Sequence, residues 1–145
     1  MRQYAPLQKL GPAKKRWAAW QRSQHAVVVK RAAGICEGCG RDSRPLQVAH
    51  LMGRRNLVAE PWASWAGLCA HLCSAHPSYG LGCHEQLDRR KNEALRDRLL
   101  VNAAERLSHV ASGLRVQIHA QHPADVIRQL VRQYEAAGIS PQGER

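Results

Sequence analysis

The sequence predicts a small α+β protein in which helices flank a short, turn-rich, cysteine-bearing middle. Three observations predict this. Apolar residues recur at helical spacing towards both ends of the chain. The middle is broken by glycines and cysteines, with one brief apolar run that suits a strand. The length of 145 residues is that of one domain with a modest core. Phe is absent, so Leu, Val, Ala and four Trp must fill that core.

Residues 1–12 (MRQYAPLQKLGP) hold two Pro and one Gly and read as a loose arm. From Ala13 to Ala33 the spacing of Trp17, Trp20, Val27 and Val28 predicts a basic helix, which Gly34 stops. "GICEGCGRDSRPLQVAHLMGRR" follows, turn-rich except for "LQVAHL", the predicted strand. Residues 53–67 read as a loop with Trp62 and Trp65 packed as core or cap, and 68–84 as a second loop dense in metal-ligand side chains. From His84 to Ala111 a helix should bury Leu87, Leu95, Leu99, Leu100, Ala103 and Leu107. "SGLRVQIHAQHP" (112–123) reads as a connector with room for a short strand. A last helix runs through "PADVIRQLVRQYEAAG", with Pro and Asp at its start, Gly at its end, and Val126, Ile127, Leu130, Val131 and Tyr134 as its apolar stripe. The resulting division is a basic arm and helix start (1–25), a metal-binding core (26–111) and a helical extension (112–145).

Twenty-two basic side chains face eleven acidic ones, a net charge of +11. Residues 1–31 alone carry eight basic groups, Lys14, Lys15 and Arg16 among them, and no acid. Such an arm repels itself unless a polyanion neutralises it, which points to nucleic acid. Arg54 and Arg55 suit phosphate contacts for the same reason. No apolar run approaches a membrane span, and no apolar stretch follows the N-terminal charges as a secretory signal requires, so a soluble, cytoplasmic protein is expected. In that reducing setting, closely spaced cysteines suggest metal rather than disulfides.

Cys36-Glu-Gly-Cys39, followed by Gly40, is half of a zinc knuckle: two intervening residues let both sulfurs face one ion, and glycine permits the turn. Cys69 is the expected third ligand. Cys83 is favoured as the fourth, with Cys73 as its alternative and His71 and His76 further off. On a helix starting near Cys83, His84 and Asp88 stand one turn apart and can hold a divalent ion between them. His50 ends the predicted strand. A strand histidine, a loop, then a helix histidine is the layout of a one-metal nuclease.

With these residues, "CEGCG…LQVAHLMGRR…GLC…GCHEQLD" resembles the HNH endonucleases of the ββα-metal fold, above all their small phage and prophage members. The resemblance covers about residues 26–90. It implies a metal-dependent endonuclease acting on DNA with low sequence specificity. It implies His50 as general base, His84 as metal ligand, a structural zinc on the cysteines, a catalytic Mg2+, Mn2+ or similar ion, and a phage-encoded protein. The chain departs from the family at Ala49, where a ligand often stands, at the missing central Asn near Ser64 or Trp65, and in the thirteen residues between Cys69 and Cys83. The rival expectation is a zinc-binding DNA- or RNA-binding protein that keeps the scaffold without catalysis. A zinc-dependent nucleobase deaminase is disfavoured, because Glu85 directly follows His84 and Ile35, not Pro, precedes Cys36.

Overall fold

The computed structural model describes residues 11–42, 44–78, 80–115 and 118–142, and only the backbone of Arg54. The expected residues 1–10 of the basic arm lie outside that set, as does the end of the tail. The described residues mix helix and strand: α1 (Pro12–Ala32), β1 (Leu46–His50), β2 (Cys69–Cys73), α2 (Cys83–Asp88), α3 (Glu93–Ser108) and α4 (Pro123–Ala136). The two strands pair antiparallel, from Leu46 opposite Cys73 to His50 opposite Cys69. The segment between them holds three 3-10 turns, Arg54–Asn56, Trp62–Ser64 and Ala66–Leu68.

α1 starts where the sequence places it. Gly11 is extended and Pro12 takes the first helical position, where its missing N–H costs nothing. Lys30 and Arg31 sit in the last turn, at the negative end of the helix dipole. Ala33 (φ 52°) and Gly34 (φ 80°) close the helix in the left-handed region. The helix runs unbroken across residues 25 and 26. Of its apolar residues only Val28 and Ala32 are buried, and Val27 is exposed. Polar contacts dock it instead. Gln24 Oε1 accepts the Ala66 N–H at 2.9 Å. Arg31 Nε donates to Glu37 at 2.7 Å, while its terminal nitrogens donate to the carbonyls of Ala66 and Cys69 at 3.0 and 2.7 Å. Glu37 also accepts the His71 N–H at 2.7 Å. Burial alone would raise the Glu37 pKa, but Arg31 and that N–H hold it below the usual carboxylate range.

The main core lies between the other face of the sheet and the α3–α4 pair. Ala49, Ala70 and Leu72 meet Leu95, Leu99, Leu100, Ala103 and Leu107 of α3, and Ile127, Leu130, Val131 and Tyr134 of α4. Trp62 packs on Tyr134 at a ring separation of 5.6 Å, and Tyr134 Oη donates to the Leu107 carbonyl at 2.7 Å.

Two expectations change. The loop read at 68–84 contains a strand and a helix start, because Cys69–Cys73 pairs along the whole of β1. The single helix read from His84 to Ala111 is two. α2 ends in a Schellman-type closure, with Lys91 N–H on the Gln86 carbonyl at 2.9 Å and Arg90 at φ 52°. Asn92 then restarts the chain, accepting the Leu95 N–H at 3.0 Å as the cap of α3. The six apolar residues expected on that helix are buried all the same.

Tyr134→Phe should remove the shorter of the hydrogen bonds to the buried Leu107 carbonyl, which keeps the Val110 N–H at 3.2 Å. A cost of about 1 kcal/mol is expected, seen in thermal unfolding as a midpoint lower by roughly 3 °C. An unchanged midpoint would mean that this hydrogen bond contributes nothing net.

Candidate metal centre and adjoining basic cleft

The thiols of Cys36, Cys39, Cys73 and Cys83 lie within 4.8 Å of one another, and three of the four residues are buried. All five cysteines are free thiols. Cys39 Sγ and Cys73 Sγ are 3.9 Å apart. A tetrahedral ion about 2.3 Å from each sulfur would set them about 3.8 Å apart, whereas a disulfide needs about 2.05 Å. The four residues can therefore hold a metal ion such as zinc.

Local sequence explains how they converge. Cys36 and Cys39 belong to one turn, closed by the Gly40 N–H on the Cys36 carbonyl at 2.9 Å. A β-carbon on Gly38 would lie 2.9 Å from Cys83 Sγ, so a side chain there would push a thiol out of place. A β-carbon on Gly82 would overlap the Cys73 backbone, so only glycine lets Cys83 follow so close behind the strand end. Backbone N–H groups also aim at sulfur. Gly38, Cys39 and Cys73 donate to Cys36 Sγ at 3.3, 3.4 and 3.3 Å, and Cys83 donates to Cys73 Sγ at 3.3 Å. Burial resists ionisation of Cys36, but these N–H groups outweigh it and bring its pKa down to about 7. Burial and the neighbouring sulfurs push Cys83 the other way, and burial raises Cys73. One thiolate can form unaided; four together need a cation between them.

Cys69, the expected third ligand, is not in the cluster; Cys73 takes that place. Cys69 stands at the far end of β2, four residues and about 13 Å along the strand from Cys73. There it is fully buried with Val28 and Ala66, its pKa pushed up by burial to about 12. His71 and His76 are also outside the cluster, and His71 Nδ1 is buried without a hydrogen-bond partner among the described residues.

The second site borders the strand end. His50 and Asp88 line one cleft of about 130 Å3 with Arg55, Asn56, Arg90 and Arg96. His84 does not line the cleft but reaches its Asp88. Its Nδ1 lies 2.9 Å from Gln47 Oε1 of β1, and its Nε2 lies 3.4 Å from Asp88 Oδ2. A nitrogen and an oxygen each about 2.1 Å from a tetrahedral ion are also about 3.4 Å apart, so this pair fits a shared cation as well as an ion pair. The His50 pKa is lowered, first by burial, then by His25 and His84, with Glu60 opposing. His25 lies exposed on α1 with its ring 6.0 Å from that of His50. At the position expected for a central Asn, Ser64 is buried and its Oγ donates to Glu60 at 2.7 Å. Ala49 is buried and offers no ligand. Lys14, Lys15, Arg16 and Arg55 are exposed, while the Arg54 side chain falls outside the described residues.

No family model, curated protein or solved structure matches the chain. No helix among the described residues is long and apolar enough to cross a membrane.

The two buried thiols of β2 should separate cleanly by experiment. Cys73→Ser should lose bound metal on elemental analysis and lower the unfolding midpoint by many degrees, since a structural ion contributes on the order of 10 kcal/mol. Cys69→Ala should keep its metal and lose about 1–2 kcal/mol of stability from the small void it leaves. Metal loss from Cys69→Ala alone would reverse the ligand assignment.

Proposed function

We propose that the protein is a metal-dependent endonuclease of the HNH kind, hydrolysing phosphodiester bonds in DNA, with a structural zinc ion on Cys36, Cys39, Cys73 and Cys83. The observation that carries the reading is the small cleft in which His50, Asp88 and three arginines meet, with His84 Nε2 3.4 Å from the Asp88 carboxylate. The order of strand, strand and short helix around it agrees with a ββα core.

His50 is the general base. Its depressed pKa keeps the imidazole neutral at neutral pH, ready to take a proton from water. The water oxygen bonds to phosphorus, the bond to the 3′ oxygen breaks, and that oxygen takes a proton from solvent. Arg55, Arg90 and Arg96 meet the non-bridging oxygens. His84 and Asp88 would hold a divalent ion, and Gln47 fixes the His84 ring by its other nitrogen. That ion, when bound, supplies positive charge to the phosphoryl group and the leaving oxygen.

A second reading has its own support. Ala49 is buried and cannot coordinate, so a divalent ion there would have only His84 and Asp88 as protein ligands, and a DNA- or RNA-binding protein built on the same scaffold would need neither. It predicts one tightly held zinc, salt-dependent binding and no hydrolysis.

Plasmid cleavage with magnesium, manganese or nickel tests the first reading. His50→Ala should abolish cutting, by about a hundredfold or more, while DNA binding is retained. Cutting at the wild-type rate would remove His50 from its role; no cutting by wild type with any of the three ions favours the second reading.

The pH profile tests the base separately. A lowered pKa keeps His50 deprotonated further into acid, so activity should persist below the ordinary histidine range before it falls. His25→Ala removes a like charge and exposes the ring, and both changes raise the His50 pKa. The acidic limb should therefore move to higher pH; a limb unmoved by His25→Ala would show that another group controls it.

A further inference from the structure

We infer that a nucleic-acid strand leaves the His50 cleft along a second groove walled by Arg55, Arg90, Arg96 and Arg128, so that α3 and α4 form part of the substrate track. The groove is about 290 Å3 and reaches His122 at the start of α4. It shares Arg55, Asn56, Arg90 and Arg96 with the cleft of His50 and Asp88, so the two are continuous. The inference takes its substrate from the phosphodiester reading above and adds where the chain of phosphates runs.

Three of the four cations along it, Arg55, Arg90 and Arg96, have no carboxylate partner among the described residues; Arg128 pairs with Asp125. Asn56 steadies Arg96 and Arg128. Its side-chain oxygen accepts from Arg96 Nη2 at 3.4 Å and its carbonyl from Arg128 Nη1 at 3.1 Å, while Asp125 holds Arg128 Nη2 at 2.8 Å. Held forks of this kind match the paired oxygens of a phosphodiester.

Arg90 adds an independent point. It closes α2 with φ 52°, at the position where helices usually place glycine. A non-glycine residue there costs about 1 kcal/mol of backbone strain. The side chain on this strained backbone lies in the wall of both the cleft and the groove. Strained backbone of this kind clusters where side chains meet ligands. A phosphodiester chain is the favoured occupant over an acidic peptide or a lipid surface. It presents one anion per nucleotide in sequence, as a row of arginines requires, and the row ends at the proposed base.

Binding of a short labelled DNA strand, single and duplex, to the His50→Ala protein without added divalent ions tests this as a function of salt. Arg90→Gly should weaken binding roughly tenfold and lower the salt slope by about 0.7 for the single strand or 0.9 for the duplex. Its unfolding midpoint should stay level or rise, because glycine relieves the strain. Arg55→Gln should weaken binding likewise. Arg132→Gln, an equal charge change on the outer side of α4, should stay within about twofold. Unchanged affinity in Arg90→Gly, or an equal loss in Arg132→Gln, would overturn the track. Tighter binding of polyglutamate or of phosphatidylserine vesicles with the same dependence on Arg90 would overturn the nucleic-acid assignment. Arg90-dependent binding by a wild type that never cuts would sustain the groove and defeat the nuclease; cutting with Arg90-independent binding would do the reverse.

Discussion

Convergence of four sulfurs on one point is the constraint from which the middle of the molecule follows. The Cys36–Cys39 turn, the end of β2 and the start of α2 each supply sulfur to it, and none of the three is long enough to hold its place alone. Isolated helices of six residues and two-stranded sheets are marginal in water. Tying them together sets the angle at which α2 leaves the sheet, and so sets His84 against Gln47 and Asp88 against the end of β1. The thiols balance this arrangement unevenly. One is poised to ionise near pH 7 and its neighbours resist. The cluster is accordingly a demand for positive charge as much as a set of contacts.

A second, polar tie completes the frame on the other face of the sheet. Arg31 reaches Glu37 and two carbonyls, and Arg106 Nε donates to the Gly67 carbonyl at 3.0 Å from the α3 side. These bonds substitute for the apolar face that α1 lacks. They also lay α1 beside β1, which is how His25 comes to stand near His50. The histidine proposed as base is thus surrounded by groups from α1, from the Glu60 turn and from α2, each of which moves its proton affinity.

Features encoded within a few residues were legible in the sequence. The Cys36–Cys39 knuckle, a helix beginning near Ala13, the strand ending at His50, and the apolar stripes of α3 and α4 all follow from local sequence, and the mix of helix and strand follows from them. What was illegible depends on partners distant in the chain. Choosing Cys73 over Cys69 requires the register of β2. The end of that strand nearest the knuckle is the one opposite Leu46, and a segment read as loop has no register. The break at Arg90 was missed because arginine carries no signal for a left-handed backbone; the Asn92 cap was the clue available. His25, and the alignment of Arg55, Arg96 and Arg128, arise from separate elements and leave no local pattern.

The corner between α2 and α3 has a geometric consequence. A straight helix from residue 83 to residue 108 would be a rod about 39 Å long. It would present Asp88 and Arg96 along a convex surface that could touch a partner only at a tangent. Folding the rod across residues 89–92 turns that surface inward, giving the molecule an inside corner, and with it a way to surround something narrow. Here concavity rests on four residues, with Arg90 left-handed and Asn92 extended out of the helical region.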